Sequence, residues 1–392
     1  MARPKRIKVP HAPRVALIVE TSLASGRGIL RGIARYLREH EPWSIYHEPR
    51  SREDPAPTWL KNWPGDGIIA RLHNRQMVAA VAATGLPAVD VLGLVSDSKP
   101  PLVGSDNRVI ARLAAEHLLE RGFKHFGHCG IRGFNFSERQ RDAFMEIVQM
   151  AGGQCGVHEL AARGRARSSW ETQQQRLAKW VRHLPKPAGV MACDDTRGQR
   201  LLDACRRAGV LVPEEVAAVG VNNDIAVCEI SHPPLSSVVP NTQGIGYEAA
   251  GLLDRLMRGK SAPSDPTLLA PTGLVCRQSS DVLAIEDHDI AMAVRFIREQ
   301  ASGSIRVEDV ANHVSLSRSV LKRRFARLLG RSVHEEIIRA RVRQVEELLS
   351  QTDMPIKLIA RKTGFKHQEY MGAVFKSKLG KTPGQYRKQS PS

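Results

Sequence analysis

Between Arg14 and about Ser280 the chain alternates short apolar runs with stretches of helical periodicity, and this rhythm restricts the fold more than any other feature. Val15–Val19, Gly67–Ala70, Pro87–Val91, Phe126–His128, Gly189–Ala192 and Ala217–Val221 read as buried strands. Gly28–Glu39, Arg75–Ala83, Val109–Arg121, Arg139–Ala151 and Arg197–Ala208 read as the helices among them. Repeated strand–helix units bury both faces of a parallel sheet under helices, and a stretch this long is expected to build two such sheets. In open parallel sheets a ligand binds beyond the carboxyl ends of the strands, so the polar residues just after the strands become the pocket candidates. These are Ser22 and Arg27, then Arg71, then Asp90, and later Asp194 with Asp195 and Asn222 with Asp224; Arg139, Gln140 and Arg141 open a helix between, leaving open which of the three faces a ligand. Any one of them alone suits a helix cap or a solvated loop. Together, carboxylates, amides and guanidinium groups around one cleft suit a neutral polyol, whose hydroxyls both donate and accept.

The last hundred residues follow another pattern. Two short helix pairs, Val307–Leu329 and Ile356–Leu379, flank one long amphipathic helix, Ser332–Ser350, with Ile338, Val342, Val345 and Leu349 at helical spacing. A helix of that length spans roughly 28 Å, enough to hold two recognition helices about one DNA turn (~34 Å) apart. On the helix opening at Ser317, Leu321, Phe325 and Leu328 are expected to face the core, Gly330 to close the helix, and Arg318, Ser319, Lys322, Arg323, Arg324 and Arg327 to remain outside. In the second pair Met371, Phe375 and Leu379 form the apolar stripe, leaving Glu369, Gly372, Ala373 and Lys376 on the other side, a small and weakly charged face.

Charge is distributed unevenly. Residues 291–392 hold 21 Lys+Arg against 9 Asp+Glu, a net +12 of the chain's +18. A field of that sign attracts polyanions without choosing among DNA, RNA and a membrane surface; the helix pairs make that choice. No run approaches the ~20 apolar residues of a membrane span, and the apolar run after the basic, proline-bearing start stops at Glu20, unlike a secretory leader. The six cysteines are scattered without a CxxC pair or a Cys/His cluster, so reduced thiols, a cytoplasmic setting, no metal and no cofactor are expected.

Motifs sharpen this reading. SRSVLKRRF (Ser317–Phe325) and PIKLIARKTGFKHQEYMGAVFKSKLGKTPGQYR (Pro355–Arg387) resemble the two helix-turn-helix units of the AraC/XylS regulators. The resemblance puts base-reading positions at Ser319, Lys322 and Arg323, and at Gln368, Glu369, Gly372 and Ala373; the last two are short where the family often carries longer polar side chains. VGSDN (Val103–Asn107) followed by AAEHLLxxG, with ACDD (Ala192–Asp195) and GVNN (Gly220–Asn223), resembles the sugar-sensing core of LacI-type regulators and periplasmic sugar-binding proteins. Asp194 stands for the usual Asn, Asn222 for the usual Asp, and Gln140 for the usual Arg. End to end, including Gly26-Arg27-Gly28 and Trp43, the chain resembles the XylR-like xylose operon regulators, in which such a sensor carries an AraC-type reader.

The expected organisation is a basic tail (1–13), an α/β two-lobed periplasmic-binding-protein-like sensor (14–280), a short acidic hinge (281–289) and an all-α domain with two helix-turn-helix units (290–388). The expected function is a sugar-responsive regulator, with xylose or a related pentose as ligand and double-stranded operator DNA as target. Its expected form is a homodimer, with RNA polymerase as a further partner. The alternatives are a repressor relieved by another sugar, a sugar-processing enzyme, and a sugar-binding transport component, for which neither export nor a membrane partner is signalled. Against the enzyme, adjacent Asp194 and Asp195 point apart on an extended loop, and no nucleophile or phosphate loop accompanies them.

Overall fold

The computed structural model describes residues 12–389 apart from 52–53, 96–97, 161–168, 283 and 304, so the basic segment read at 1–13 lies almost wholly outside the described residues. Contacts divide the chain into two compact units, Met1–Val282 and Leu283–Ser392.

The first unit has two lobes. In the first lobe β1 (Arg14–Ile18), β2 (Ser44–His47), β3 (Gly67–Ala70) and β4 (Ala88–Asp90) form a wholly parallel sheet in the order β2-β1-β3-β4, with α1 (Ala24–Glu39) and α2 (Arg75–Ala82) as crossovers. After β5 (Val103–Ser105) the chain passes into the second lobe through α3 (Asn107–Leu119). There β6 (His125–Ile131), α4 (Asn135–Met150), β7 (Gln154–Leu160), α5 (Trp170–His183), β8 (Ala188–Ala192), α6 (Asp195–Ala208), β9 (Val216–Val221), α7 (Ile225–Ile230) and β10 (Ser236–Val239) continue the same rhythm. The chain then returns: α8 (Thr242–Met257) and β11 (Thr267–Leu269) belong to the first lobe, and β12 (Gly273–Val275) closes the second sheet. That sheet runs β12-β10-β9-β8-β6-β7, parallel except for the antiparallel β10–β12 pair.

Three crossings therefore join the lobes side by side. The Asp106 N–H donates to the Leu269 carbonyl at 2.9 Å and the Thr272 N–H to the Val239 carbonyl at 2.8 Å, tying the crossings together. The first lobe depends on α8 lying directly on α1, where Ile29, Ile33 and Tyr36 meet Ile245, Ala249 and Leu253. That approach is set by glycine. A Cβ at Gly246 would stand 2.0 Å from the Ile29 carbonyl oxygen, and one at Gly28 would stand 2.0 Å from the Thr242 hydroxyl.

In the second unit α9 (His288–Gln300) precedes α10 (Val307–His313), α11 (Arg318–Leu329), the long α12 (Val333–Gln351), α13 (Ile356–Lys362), α14 (Gln368–Leu379) and α15 (Pro383–Gln389). Helix α12 starts at a capping box in which the Ser332 hydroxyl accepts the Glu335 N–H at 3.2 Å while the Glu335 carboxylate accepts the Ser332 N–H at 2.7 Å. Its stripe of Ile338, Val342, Val345 and Leu349 packs on Ile359, Phe365, Met371 and Phe375 of the second helix pair. In α11 the buried stripe is Leu321, Phe325 and Leu329; Leu328, expected in the core, is 37% exposed. The spacing i, i+4, i+8 follows the buried face as closely as i, i+4, i+7, and Gly330, left-handed at φ 65°, turns the chain immediately afterwards so that Leu329 swings inward.

The expected hinge at 281–289 and the helix expected from 290 shift. Asp287 caps α9, which opens at His288, by accepting the Ile290 N–H at 3.3 Å. The Arg324 guanidinium of α11 binds both oxygens of Asp287 and donates to Asp289 Oδ2 at 2.9 Å. Residues 287–289 therefore belong to the reader, and Arg324, expected to remain outside, is held within its own unit.

Candidate ligand cleft and nucleic-acid interface

Between the two lobes of the first unit lies a cleft of about 1220 Å³, lined by the loops that follow β1, β3, β4, β6, β8 and β9. Arg71, Gln140, Asp194, Asp195, Asn222 and Asp224 line it. Gln140 is 2% exposed; its amide donates to Asn107 Oδ1 at 2.9 Å, while its Oε1 is buried with no partner among the described residues. Of the three residues left open at this helix, Arg139 is exposed away from the cleft and Arg141 is taken by Glu159 at 2.6 Å, so Gln140 is the one that faces inward.

Asp195 is almost fully buried. Its Oδ1 accepts from the Ser237 hydroxyl at 2.6 Å and its Oδ2 from the Asp224 N–H at 2.7 Å, so it clamps the loop that carries Asn222 and Asp224. Desolvation pushes its pKa up to about 7, against the opposing effect of those hydrogen bonds. Asn222 has φ 107°, outside the left-handed basin, a conformation costing about 1–3 kcal/mol that a side chain turned to a task can justify. In the first lobe Arg71 Nη1 lies 2.6 Å from Glu20 Oε1 and 3.0 Å from the Ser25 hydroxyl, which aims the guanidinium into the cleft.

Four expected positions fall off the cleft wall. Asp90 is turned into its own lobe, accepting the N–H groups of Leu72, Leu92 and Gly93 at 3.3, 2.9 and 3.1 Å, and burial lifts its pKa to about 6. It shapes the loop that presents Leu92 and Leu94. Ser22 points to solvent, and Ser25, one turn on, takes its place. Arg27 donates to the Thr21 carbonyl at 2.9 Å and lies 3.8 Å from Asp224 Oδ2, an ion pair that spans the two lobes beside the cleft. Arg139 is the fourth.

Sequence reading missed other wall residues: Glu20 behind Arg71, Asn107 beside Gln140, Phe134 and Phe136 edge to face at 5.9 Å, Trp170, and the guanidinium groups of Arg176, Arg197 and Arg200. Asn107 was visible inside VGSDN. Arg197 and Arg200 sit inside a helix, where position after a strand gives no cue.

In the second unit Ser319, Lys322, Arg323 and Arg327 are exposed on α11. Arg318 is exposed too and pairs with Glu308 of α10 at 2.6 Å, a surface pair that a phosphate can replace. On α14 Gln368, Glu369, Ala373 and Lys376 are exposed and Gly372 is half-buried with open space around it. Both helices thus present a polar face opposite a buried stripe. Among the described residues no helix is long and apolar enough to cross a membrane, and no cluster of His, Cys, Asp and Glu is placed to hold a metal.

A two-lobed sensor with a polar cleft, carried on the same chain as a double helix-turn-helix reader, defines a ligand-responsive transcription regulator rather than an enzyme. The comparisons with known proteins agree: residues 14–103 match the XylR N-terminal domain, 115–280 a periplasmic binding protein-like domain and 310–389 a helix-turn-helix domain. The chain is 30% identical to the xylose operon regulatory protein of Escherichia coli K12 over 384 residues, covering 95% of this chain and 96% of that one. It is 30% identical to the protein of that name from Haemophilus influenzae, covering 95% and 98%. A solved structure described as the xylose-binding transcription activator xylR superposes with a TM-score of 0.84 at 28% identity over 98% of this chain and all of that one. The chain belongs to the family of xylose operon regulatory proteins.

Proposed function

We propose that this regulator is a xylose-responsive activator that binds the pentose, or a close relative, between its lobes and changes its hold on an operator in response. The observation that carries the reading is the convergence of Gln140, Asp194, Asn222 and Asp224 from the second lobe and Arg71 from the first on one cleft, in a chain that also holds two reader helices. A sugar bridging both walls favours the closed arrangement by its difference in affinity for the two, and only that difference reaches the reader. Ser319, Lys322 and Arg323 read bases. Gln368, Glu369, Gly372, Ala373 and Lys376 supply the second contact surface, with Arg318 and Arg327 on phosphates. A homodimer presents four helix-turn-helix units to DNA in the cytoplasm, where RNA polymerase is the partner of an activator.

The test pairs a thermal-shift panel of pentoses and hexoses with operator binding measured by fluorescence anisotropy. Xylose is expected to raise the melting temperature and to tighten operator binding in the same concentration range. A melting shift from hexoses alone, or operator affinity unmoved by a sugar that binds, would overturn the reading.

A further inference from the structure

The second-lobe wall of the cleft is more cationic than a neutral pentose requires. Arg197 and Arg200 lie three residues apart on α6, hence on one face, and Arg176 of the adjoining α5 lines the same wall. Arg197 Nε and Nη1 are buried with no hydrogen-bond partner, and Arg200 Nη1 reaches only the Gln173 amide oxygen, at 3.5 Å. Among the described residues neither guanidinium makes an ion pair, whereas Arg71, Arg141 and Arg207 elsewhere in the unit are each matched to a carboxylate.

Two of the carboxylates nearby are committed to other guanidinium groups, and Asp194 spends one oxygen on its own helix. Asp194 accepts the Arg197 backbone N–H at 2.7 Å as the cap of α6, Glu159 is held by Arg141 at 2.6 Å and Arg132 at 3.4 Å, and Asp203 is held by Arg206 and Arg207. Burial, and then the charge of Arg197, press the Arg200 pKa below its ordinary value; Asp194 opposes this without restoring it. A half-buried guanidinium with no counter-charge is costly, and an anion in the cleft that supplies acceptors lowers that cost. The cleft, at about 1220 Å³, has room for a substituent beyond a pentose ring.

Taking the cleft to be a sugar site, as proposed above, we infer that Arg176, Arg197 and Arg200 form a subsite for an anionic substituent, so that a monosaccharide bearing a carboxylate or an ester anion binds more tightly than xylose. D-Glucuronic acid fits this description closely, being a xylopyranose ring with a carboxylate on C5. D-Glucose 6-phosphate offers the same ring with its anion on an ester.

Calorimetric titration of the full chain at fixed ionic strength with D-xylose, D-glucuronate and D-glucose 6-phosphate tests this, with acetate and inorganic phosphate alone showing what the anion contributes without a sugar. At least one acidic sugar is expected to bind about tenfold or more tighter than xylose, as charge-assisted bonds to buried donors permit; the two arms separate carboxylate from ester. Arg197→Gln is expected to collapse that ratio toward one, and Arg200→Gln serves if the first variant does not fold. Xylose binding with no advantage for either acidic sugar overturns the subsite and leaves the sugar site standing. A preference that survives both substitutions also overturns it, and failure of all three sugars to bind removes the sugar site itself.

Discussion

Asp195 shows how one side chain can serve the cleft through the loop that it holds. It was expected to bind sugar directly, yet both oxygens are spent on Ser237 and on the Asp224 amide, so its first effect is to hold the ligand loop in place. Asp195→Ala strands two donors in a buried site, each costing roughly 1–3 kcal/mol; the sensor should melt earlier as well as lose its sugar shift, and a variant with the parent's melting temperature would contradict the clamp. The raised pKa adds a pH signature. Folded Asp195 holds its proton up to about 7 while its ordinary value is 3.8, so unfolding releases a proton between these limits and this group's contribution to stability falls as pH rises through that window. His117 and His128, pushed down by burial to about 4 and about 3, act oppositely below their ordinary 6.5, which makes the difference between parent and Asp195→Asn the informative quantity. The parent is expected to lose more stability than Asp195→Asn between pH 5 and pH 8 in matched melts; parallel curves would contradict the assignment. At the reader, Arg323 is exposed opposite Leu321 and Phe325, and Arg323→Ala should weaken operator binding by about 1–3 kcal/mol and relax preference at one base position. A competition assay over single-base operator variants reads both effects.

Among the elements, the two reader helices share a frame and differ in chemistry. Helix α11 offers Lys322 and Arg323, which can bond base edges, whereas Gly372 and Ala373 of α14 bring no side-chain donor, so the second helix contributes more affinity than choice. Lys376→Ala should weaken matched and mismatched sites alike and reduce the salt slope by about one charge, while Lys322→Ala should compress the difference between sites; affinities across a salt series separate these outcomes, and equal loss of discrimination would show that α14 reads bases. How far such elements were legible in the sequence depended on their periodicity. The buried strands β1, β3, β8 and β9 and the stripe of α12 are apolar enough to be read directly, and the first-lobe strands lead to Arg71 as the second-lobe ones lead to Asp194 and Asn222. Strand β7 was not read, because QCGVHEL is only partly buried at a sheet edge and keeps no alternation. Helix α8 escaped because Gly244, Gly246 and Gly251 lower its helix propensity, although Gly246 is what allows it to touch α1. The turn from Asp90 into its own lobe was illegible for a different reason: three backbone N–H groups that need an acceptor become apparent only once the loop is folded.

For the whole molecule the question is how a sugar bound in one unit reaches a helix in the other. Ser280 is anchored in the sensor, its hydroxyl bonded to Ser236 at 2.7 Å and to His117 at 2.7 Å, and Asp287 is anchored in the reader, through Arg324 and the start of α9. Six residues, 281–286, lie between these anchors in the sequence, a connection that spans at most roughly 25 Å if fully extended. A connection this short is expected to carry the coupling between the two sites. Lengthening it leaves both binding sites chemically intact and loosens the connection. Coupling is reciprocal, so if xylose tightens operator binding by some factor, operator must tighten xylose binding by the same factor. Inserting a flexible Gly/Ser segment of ten residues within 283–286 should therefore preserve sugar affinity in the absence of DNA and leave each reader's salt slope unchanged, while bringing both coupling factors to about one. Anisotropy with and without xylose and calorimetry with and without operator measure the two factors independently. If the lengthened chain keeps the parent's coupling, the signal travels by some route other than this connection, and the clamp of Asp287 on Arg324 serves stability alone.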